Sequence, residues 1–247
     1  MKDVFTYKYN FIALLFLINI SYSQSNYQVE YKMTTLFDGV KNYDAKLSFS
    51  ELKSCFEYRL SLKDTASIDT QDENGNFNIS IPEKRQQAVL NDIKEKRISE
   101  IKYLKKAYLV EDTFVFPKWE IYTETKTINN YLCQKATTFY KGRRYEAWFT
   151  IEFPTIFGPW KLNGLPGLII IAQDEKNEVF FEAIEIKKTE NSRCHEDYPF
   201  TIISRLDYDI LMEKKLKEFE ERLKAMGNRD SKINVKFGKV DGIEIIN

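Results

Sequence analysis

Apolar and polar residues alternate along much of this chain, and that leaves few folds open to it. Tyr27, Val29, Tyr31 and Met33 interleave with Gln28, Glu30, Lys32 and Thr34. Phe56, Tyr58, Leu60 and Leu62 interleave with Glu57, Arg59 and Ser61, and Tyr145, Ala147, Phe149 and Ile151 with Arg144, Glu146, Trp148 and Thr150. Ile184 and Ile186 alternate with Glu185 and Lys187. A period of two sends successive side chains to opposite faces of a strand, one face buried and one wet. Antiparallel sheets read this way, whereas parallel strands tend toward solid apolar runs. The expected fold is therefore mainly β: a strongly curved antiparallel sheet or a half-open barrel, its core filled from 18 Phe and 15 Tyr.

Turn chemistry agrees. Asp38-Gly39 and Asn74-Gly75 punctuate the first strands, and Lys141-Gly142 separates Ala136–Tyr140 from Arg143–Ile151 as a hairpin. One segment breaks the pattern. Leu206, Ile210, Leu216, Phe219, Leu223 and Met226 recur at near-helical spacing among Lys and Glu, with Asp207 and Asp209 at the start and Gly227-Asn228 at the end. This predicts one long amphipathic helix over about 204–227 that covers a face or edge of the sheet, followed by a polar tail over about 228–247.

The first residues read as an export signal. Lys2 and Lys8 precede the apolar run Phe11–Ile20, and Ser21-Tyr22-Ser23 offers small residues for cleavage before Gln24. The run is too short to span a bilayer, which takes about 20 apolar residues. The expected organisation is a signal peptide over 1–23 and one domain over 24–247, with no transmembrane segment once the signal is removed. The 37 basic and 37 acidic residues balance, and loss of Lys2, Lys8 and Asp3 leaves a net charge of −1. An even balance gives no electrostatic case for nucleic acid.

Export exposes Cys55, Cys133 and Cys194 to an oxidising compartment. We expect Cys133 to pair with Cys194, which lies in a polar loop, and Cys55 to stay buried and reduced on its strand.

The most unusual stretch is Gly158–Ile170, GPWKLNGLPGLII, which holds three of the nine glycines and two of the six prolines. Gly158-Pro159 demands an extended or turning backbone. Asn163-Gly164 tolerates positive φ. Pro166-Gly167 suits a type II turn with Gly167 at positive φ. Trp160, Leu162, Leu165 and Leu168 are too apolar to stand in water together. The ribbon is expected to pack on the sheet, with Leu168–Ile171 as a strand covered on both faces.

These residues resemble a known family. Cys133-Gln134-Lys135-Ala136, Gly142-Arg143, Tyr145–Thr150, Gly158-Pro159-Trp160-Lys161 and Gly164–Ile169 follow one another as in the GLPGLI family. The resemblance covers roughly 119–174, with small departures at Phe149, Thr155 and Leu162. It implies an exported protein of the Bacteroidetes envelope, periplasmic or at the periplasmic face of the outer membrane. It implies no particular activity.

Catalytic signals are weak. His195 is the only histidine, and Cys194-His195-Glu196-Asp197 crowds four metal-ligand types into adjacent positions, whereas structural zinc sites use spaced pairs. No G-x-S-x-G or H-E-x-x-H is present. No catalytic residue, cofactor or metal is expected. Arg143 could bind an anion, but a bond to a loop carbonyl or a Glu is the more ordinary role. Trp148 and Trp160 could stack on a ring, but packing against proline is simpler. The motif residues Arg143, Trp148, Gly158, Pro159, Trp160, Gly164, Leu165, Pro166 and Gly167 are thus expected to build a structural loop. The expected function is binding of an envelope protein partner or an apolar ligand. A hydrolase or other enzyme, or a structural envelope component, is the alternative.

Overall fold

The computed structural model describes residues 26–36, 39–61, 68–71, 77–80, 85–189, 199–226 and 243–244. The export signal, Asn74-Gly75, the Cys194–Asp197 cluster and most of the polar tail lie outside the described residues. In chain order the elements are β1 (Asn26–Thr35), β2 (Lys41–Phe49), β3 (Lys53–Leu60), β4 (Ile68–Gln71), β5 (Phe77–Ser80), β6 (Gln87–Asp92) and β7 (Arg97–Tyr103). They continue with β8 (Ala107–Thr113), β9 (Glu120–Ile128), β10 (Tyr131–Tyr140), β11 (Arg143–Thr150), β12 (Leu168–Asp174), β13 (Val179–Thr189), β14 (Thr201–Ser204) and α1 (Arg205–Met226).

Twelve strands form one sheet in the order β14-β8-β7-β6-β3-β2-β1-β13-β12-β11-β10-β9, while β4 and β5 pair separately. Every neighbouring pair is antiparallel except β14 with β8. The sheet does not close, so β14 and β9 are its two edges.

The alternation works as expected in β1, where Val29, Tyr31, Met33 and Thr35 are buried. It works again in β11, where Tyr145, Ala147 and Phe149 face the core. The continuous run of β12 is covered on both faces, with Leu168, Ile169 and Ile170 all buried. Lys141 and Gly142 adopt φ of 50° and 79°, the type I′ geometry that matches strand twist. Asn129 and Asn130 do the same between β9 and β10, at 50° and 67°.

Two expectations of inward residues fail for local reasons. Ile184 is exposed because the β1–β13 register shifts between Glu30 and Tyr31, pairing Tyr31 with Ala183 and leaving Ile184 as the extra residue of a bulge. Ile151 is exposed because β11 ends at Thr150.

The helix begins one residue from the expected start. Ser204 Oγ accepts from the Asp207 backbone N–H at 3.1 Å and bonds its carboxylate at 2.7 Å, capping the first turn. The helix packs at the β14–β8 edge, where Tyr208 is buried edge-on against Tyr108. The apolar stripe does not cover the sheet: Leu206, Ile210 and Phe219 are exposed. Among the described residues no helix is long and apolar enough to cross a membrane.

Candidate functional site

The ribbon between β11 and β12 packs against the sheet. Phe157, Trp160, Leu162 and Leu165 are buried in one core cluster with Val29, Leu47, Phe56 and Val89. Its backbone is tied at many points. Leu162 N–H donates to the Pro159 carbonyl at 3.0 Å, Gly164 N–H to Ile156 at 2.7 Å and Leu168 N–H to Phe153 at 3.1 Å. The Asn163 side chain accepts from Gly158 N–H at 3.1 Å, and the Asn163 carbonyl accepts from Trp119 Nε1 at 2.9 Å.

The glycines act for different reasons than their sequence suggests. Gly164 does sit at positive φ, +103°. Gly167 does not, which corrects the expected type II turn. A Cβ at Gly167 would stand 2.2 Å from the Thr150 carbonyl oxygen, so the residue is small because two backbone segments touch there. Gly158 is held to the same size by the Leu162 carbonyl oxygen, also 2.2 Å from its would-be Cβ. The left-handed position is taken instead by Trp160, at φ 54° and 2 % exposed. A bulky residue is rarely found there, and its burial holds it in place. Pro159 is buried and Pro166 exposed.

Arg143, buried at the start of β11, donates to Asp174 Oδ2 at 2.7 Å, Glu178 Oε2 at 2.6 Å and the Ile243 carbonyl at 3.0 Å. Those carboxylates raise its already high pKa against the opposing effect of burial. Its role is the ordinary one, a tie between carboxylates and a carbonyl. Trp148 is buried, donates to Glu146 Oε1 at 3.0 Å and carries Lys126 Nζ at 3.8 Å from its ring centroid. Its face is occupied by the chain's own lysine.

Beside the ribbon lies a charge network that the sequence reading missed. Lys161, 2 % exposed, donates to Glu100 Oε1 at 2.5 Å and to Glu244 Oε1. Glu100 also meets Lys102 at 3.1 Å and Arg205 at 3.3 Å, and Glu244 meets Lys141 and Arg205 at 3.9 Å. The network joins β7, the ribbon, the start of α1 and the Ile243-Glu244 segment. Burial alone would push the Glu100 carboxyl up, but Lys102, Lys161 and Arg205 outweigh it and hold the group far below the ordinary carboxylate range. Burial, reinforced by Glu244 and Glu100, raises the Tyr140 phenol. Burial likewise raises Tyr145, whose hydroxyl has no hydrogen-bond partner among the described residues. The available signal was Lys161 itself, a lone charge between Trp160 and Leu162. No spacing rule points from it to Glu100 or Glu244.

The disulfide expectation is corrected. Cys133 is a free, buried thiol, its pKa raised by burial, and Cys55 is disulfide-bonded. Cys133 lies on β10, buried in the core cluster with Ala136. Cys55 lies on the opposite face from Phe56, in a small separate cluster with Ala88 and Ile101. Cys194 lies outside the described residues, as does His195. Among the described residues no three His, Cys, Asp or Glu side chains gather as a metal site.

Among the described residues two surfaces stand out as open. One is a shallow cleft of about 450 Å³ on β1–β3, lined by Glu30, Asp44, Lys46, Glu57 and Arg59, with Lys46 and Glu57 paired at 3.0 Å. Tyr31, Ala45 and Ile184 also line it, so its walls are mixed. The other is the β9 edge. Every residue from Glu120 to Thr127 is exposed, and among the described residues β9 is bonded on one side, to β10, with a register shift that leaves Tyr122, Thr123 and Glu124 opposite Lys135 as a bulge. Exposed apolar side chains accompany it: Val115 and Phe116 before the strand, Ile121 and Tyr122 on it, and Leu132 and Phe139 on β10.

No family model matches the chain, and no curated protein matches it. Nine chains of solved structures do. PNGF-II in its C2 crystal form matches with a TM-score of 0.54 at 16 % identity, covering 77 % of this chain and 33 % of that one. PNGF-II in its P21 form matches with a TM-score of 0.53 at 15 % identity and the same coverage. The chain spans about a third of the length of those proteins. At such identity the likeness is one of fold alone.

Proposed function

We propose that this chain is an exported envelope protein of the GLPGLI kind that acts by binding a protein partner, and that the β9 edge is its docking surface. The observation that carries this reading is a nine-residue strand with both faces wet and one row of backbone N–H and C=O groups unpaired among the described residues. Such an edge is a template for an added strand. Burial of the ribbon supports the same reading by subtraction. Trp160, Leu162 and Leu165 are used up in the core, and Arg143 and Lys161 are used up in ion pairs.

The test is Thr125→Pro. Counting from the Asn129-Asn130 turn, the Thr125 N–H points away from β10, so proline there spoils the free edge and spares the β9–β10 pair. Affinity capture from a native envelope extract with wild type and variant should show one protein lost on substitution, at unchanged melting temperature. An identical set of captured proteins would refute the edge as the docking surface.

A further inference from the structure

Ile243-Glu244 is held as a ligand is held. Among the described residues the segment belongs to no strand or helix and makes no backbone–backbone hydrogen bond. Arg143 Nε donates to the Ile243 carbonyl at 3.0 Å, and the Ile243 side chain packs on the main core cluster. The Glu244 carboxylate, 4 % exposed, accepts from Lys161 on one oxygen and meets Lys141 and Arg205 at 3.9 Å on the other. We propose that this pocket binds a short segment of another protein, an apolar residue followed by an acidic one, and that Ile243-Glu244 is the chain's own stand-in for that ligand. The pocket shares no residue with the β9 edge and does not rest on that reading.

The receiving groups are placed by the fold and not by the segment they hold. Lys141 sits in the tight turn between β10 and β11, Arg143 opens β11, Lys161 belongs to the ribbon and Arg205 opens α1. Three of them are anchored elsewhere as well: Arg143 by Asp174 and Glu178, Lys161 by Glu100, and Arg205 by Glu100 and Asp209. Such a site is preorganised, which lowers the cost of taking up a ligand.

Charge decides what class of group the pocket takes. With Glu244 withdrawn, Glu100 alone would face Lys102, Lys161 and Arg205, at 3.1, 2.5 and 3.3 Å, and only Asp209 would help, from the outer side of Arg205. Buried cations without a counter-charge are costly, so whatever replaces Glu244 must bring a carboxylate. The Arg143 Nε–H likewise needs a carbonyl, which any peptide backbone supplies, and the Ile243 place needs an apolar side chain.

Tyr145 then separates a foreign segment from the chain's own. It lies on the same face of β11 as Arg143 and is fully buried, and the charges of Arg143, Asp174 and Glu244 act on its phenol. Its hydroxyl has no hydrogen-bond partner among the described residues, so Ile243-Glu244 fills the pocket without satisfying it. A segment with one more polar atom on that side gains a bond that the resident lacks. The tail of a second copy has no such advantage. It brings the same contacts as the resident, and the resident is favoured by the high effective concentration of a tethered group.

The test uses the full chain carrying Glu244→Ala and a synthetic peptide of residues 241–247, titrated by calorimetry up to about 1 mM, the weak end of measurable affinity. The variant should bind the peptide at least about tenfold more tightly than wild type, whose pocket is filled. The same peptide with Gln in place of its Glu should bind the variant at least about tenfold more weakly. The native peptide should raise the melting temperature of Glu244→Ala and leave that of wild type unchanged. Among peptides with one isoleucine replaced by Asn, Gln, Asp or Glu, the best should bind at least about threefold tighter than the native sequence, and Tyr145→Phe should remove that gain. No binding to the variant, equal binding to wild type and variant, or equal binding of the Gln peptide would each overturn the proposal. A peptide set with no Tyr145-dependent gain returns the pocket to the chain's own tail and also overturns it. So does a wild-type dimer that Glu244→Ala abolishes, which would assign the pocket to a second copy. If Glu244→Ala does not fold, Glu244→Gln, which keeps the shape and removes the charge, takes its place; failure of both makes Glu244 part of the core and sinks the idea of an exchangeable occupant.

Discussion

At the scale of single residues, size and conformation are separate constraints, and the ribbon uses both. Gly167 is excluded from growth by the Thr150 carbonyl, 2.2 Å from any added Cβ. Gly167→Ala should therefore destabilise by about 1–3 kcal/mol, the ordinary range for forced overpacking. Trp160→Ala should lower stability by about 3–5 kcal/mol, because a large buried side chain is removed from the core. Thermal or urea denaturation of the two variants checks both values; wild-type stability in either would mean the ribbon is not part of the core. The sequence pointed to Gly167 for the wrong reason. Pro-Gly is a turn signal, and only the approach of β11 from elsewhere in the chain shows that the space, and not φ, is limiting. Trp160 at positive φ was illegible for the same cause, since tertiary burial overrides local preference there.

At the scale of elements, the charge network is what connects the ribbon to the rest of the sheet. Glu100 receives Lys161, Lys102 and Arg205, from three different segments. Glu100→Gln should cost about 3–5 kcal/mol at neutral pH, because it leaves buried cations without their counter-charge. The pH dependence follows from the direction of the shift. A carboxyl whose folded pKa is depressed contributes stability that is present above its unfolded value, about 4.3, and is lost as pH falls toward the folded value. Wild type should lose melting temperature steeply below about pH 4.5, and Glu100→Gln should flatten that slope. A variant with an unchanged acid limb would show that Glu100 does not govern it. The strands and hairpins were legible because alternation and turn residues are local signals. The network was not, because its members lie on β7, the ribbon, α1 and the chain's last described residues. The cysteines make the same point: Cys133 was expected to pair and Cys55 to stay reduced, and the reverse holds because β10 places Cys133 among buried side chains. It should resist thiol reagents in the native protein and react only on unfolding, as a mass measurement after brief labelling would show.

At the scale of the whole molecule, the mainly β, largely antiparallel open sheet agrees with the sequence expectation, and so does a single long helix. The position of the helix does not follow from its apolar stripe, since Leu206, Ile210 and Phe219 face outward. The order of strands was likewise beyond local signals. β1, the first described strand, lies in the middle of the sheet between β2 and β13, with Asn26 opposite Thr189. A nascent chain can offer β1 one neighbour early, but its second arrives only after β13 has been made. Closing so long a loop is slow, and folds dominated by distant contacts take milliseconds to seconds. Stopped-flow refolding of the chain should fall in that range; a microsecond phase that recovers the full native signal would contradict it. The central placement of the first described strand thus works as a delay. Until the chain is nearly complete its core cannot lock, so the order of synthesis and the order of assembly are set apart by the place of one strand.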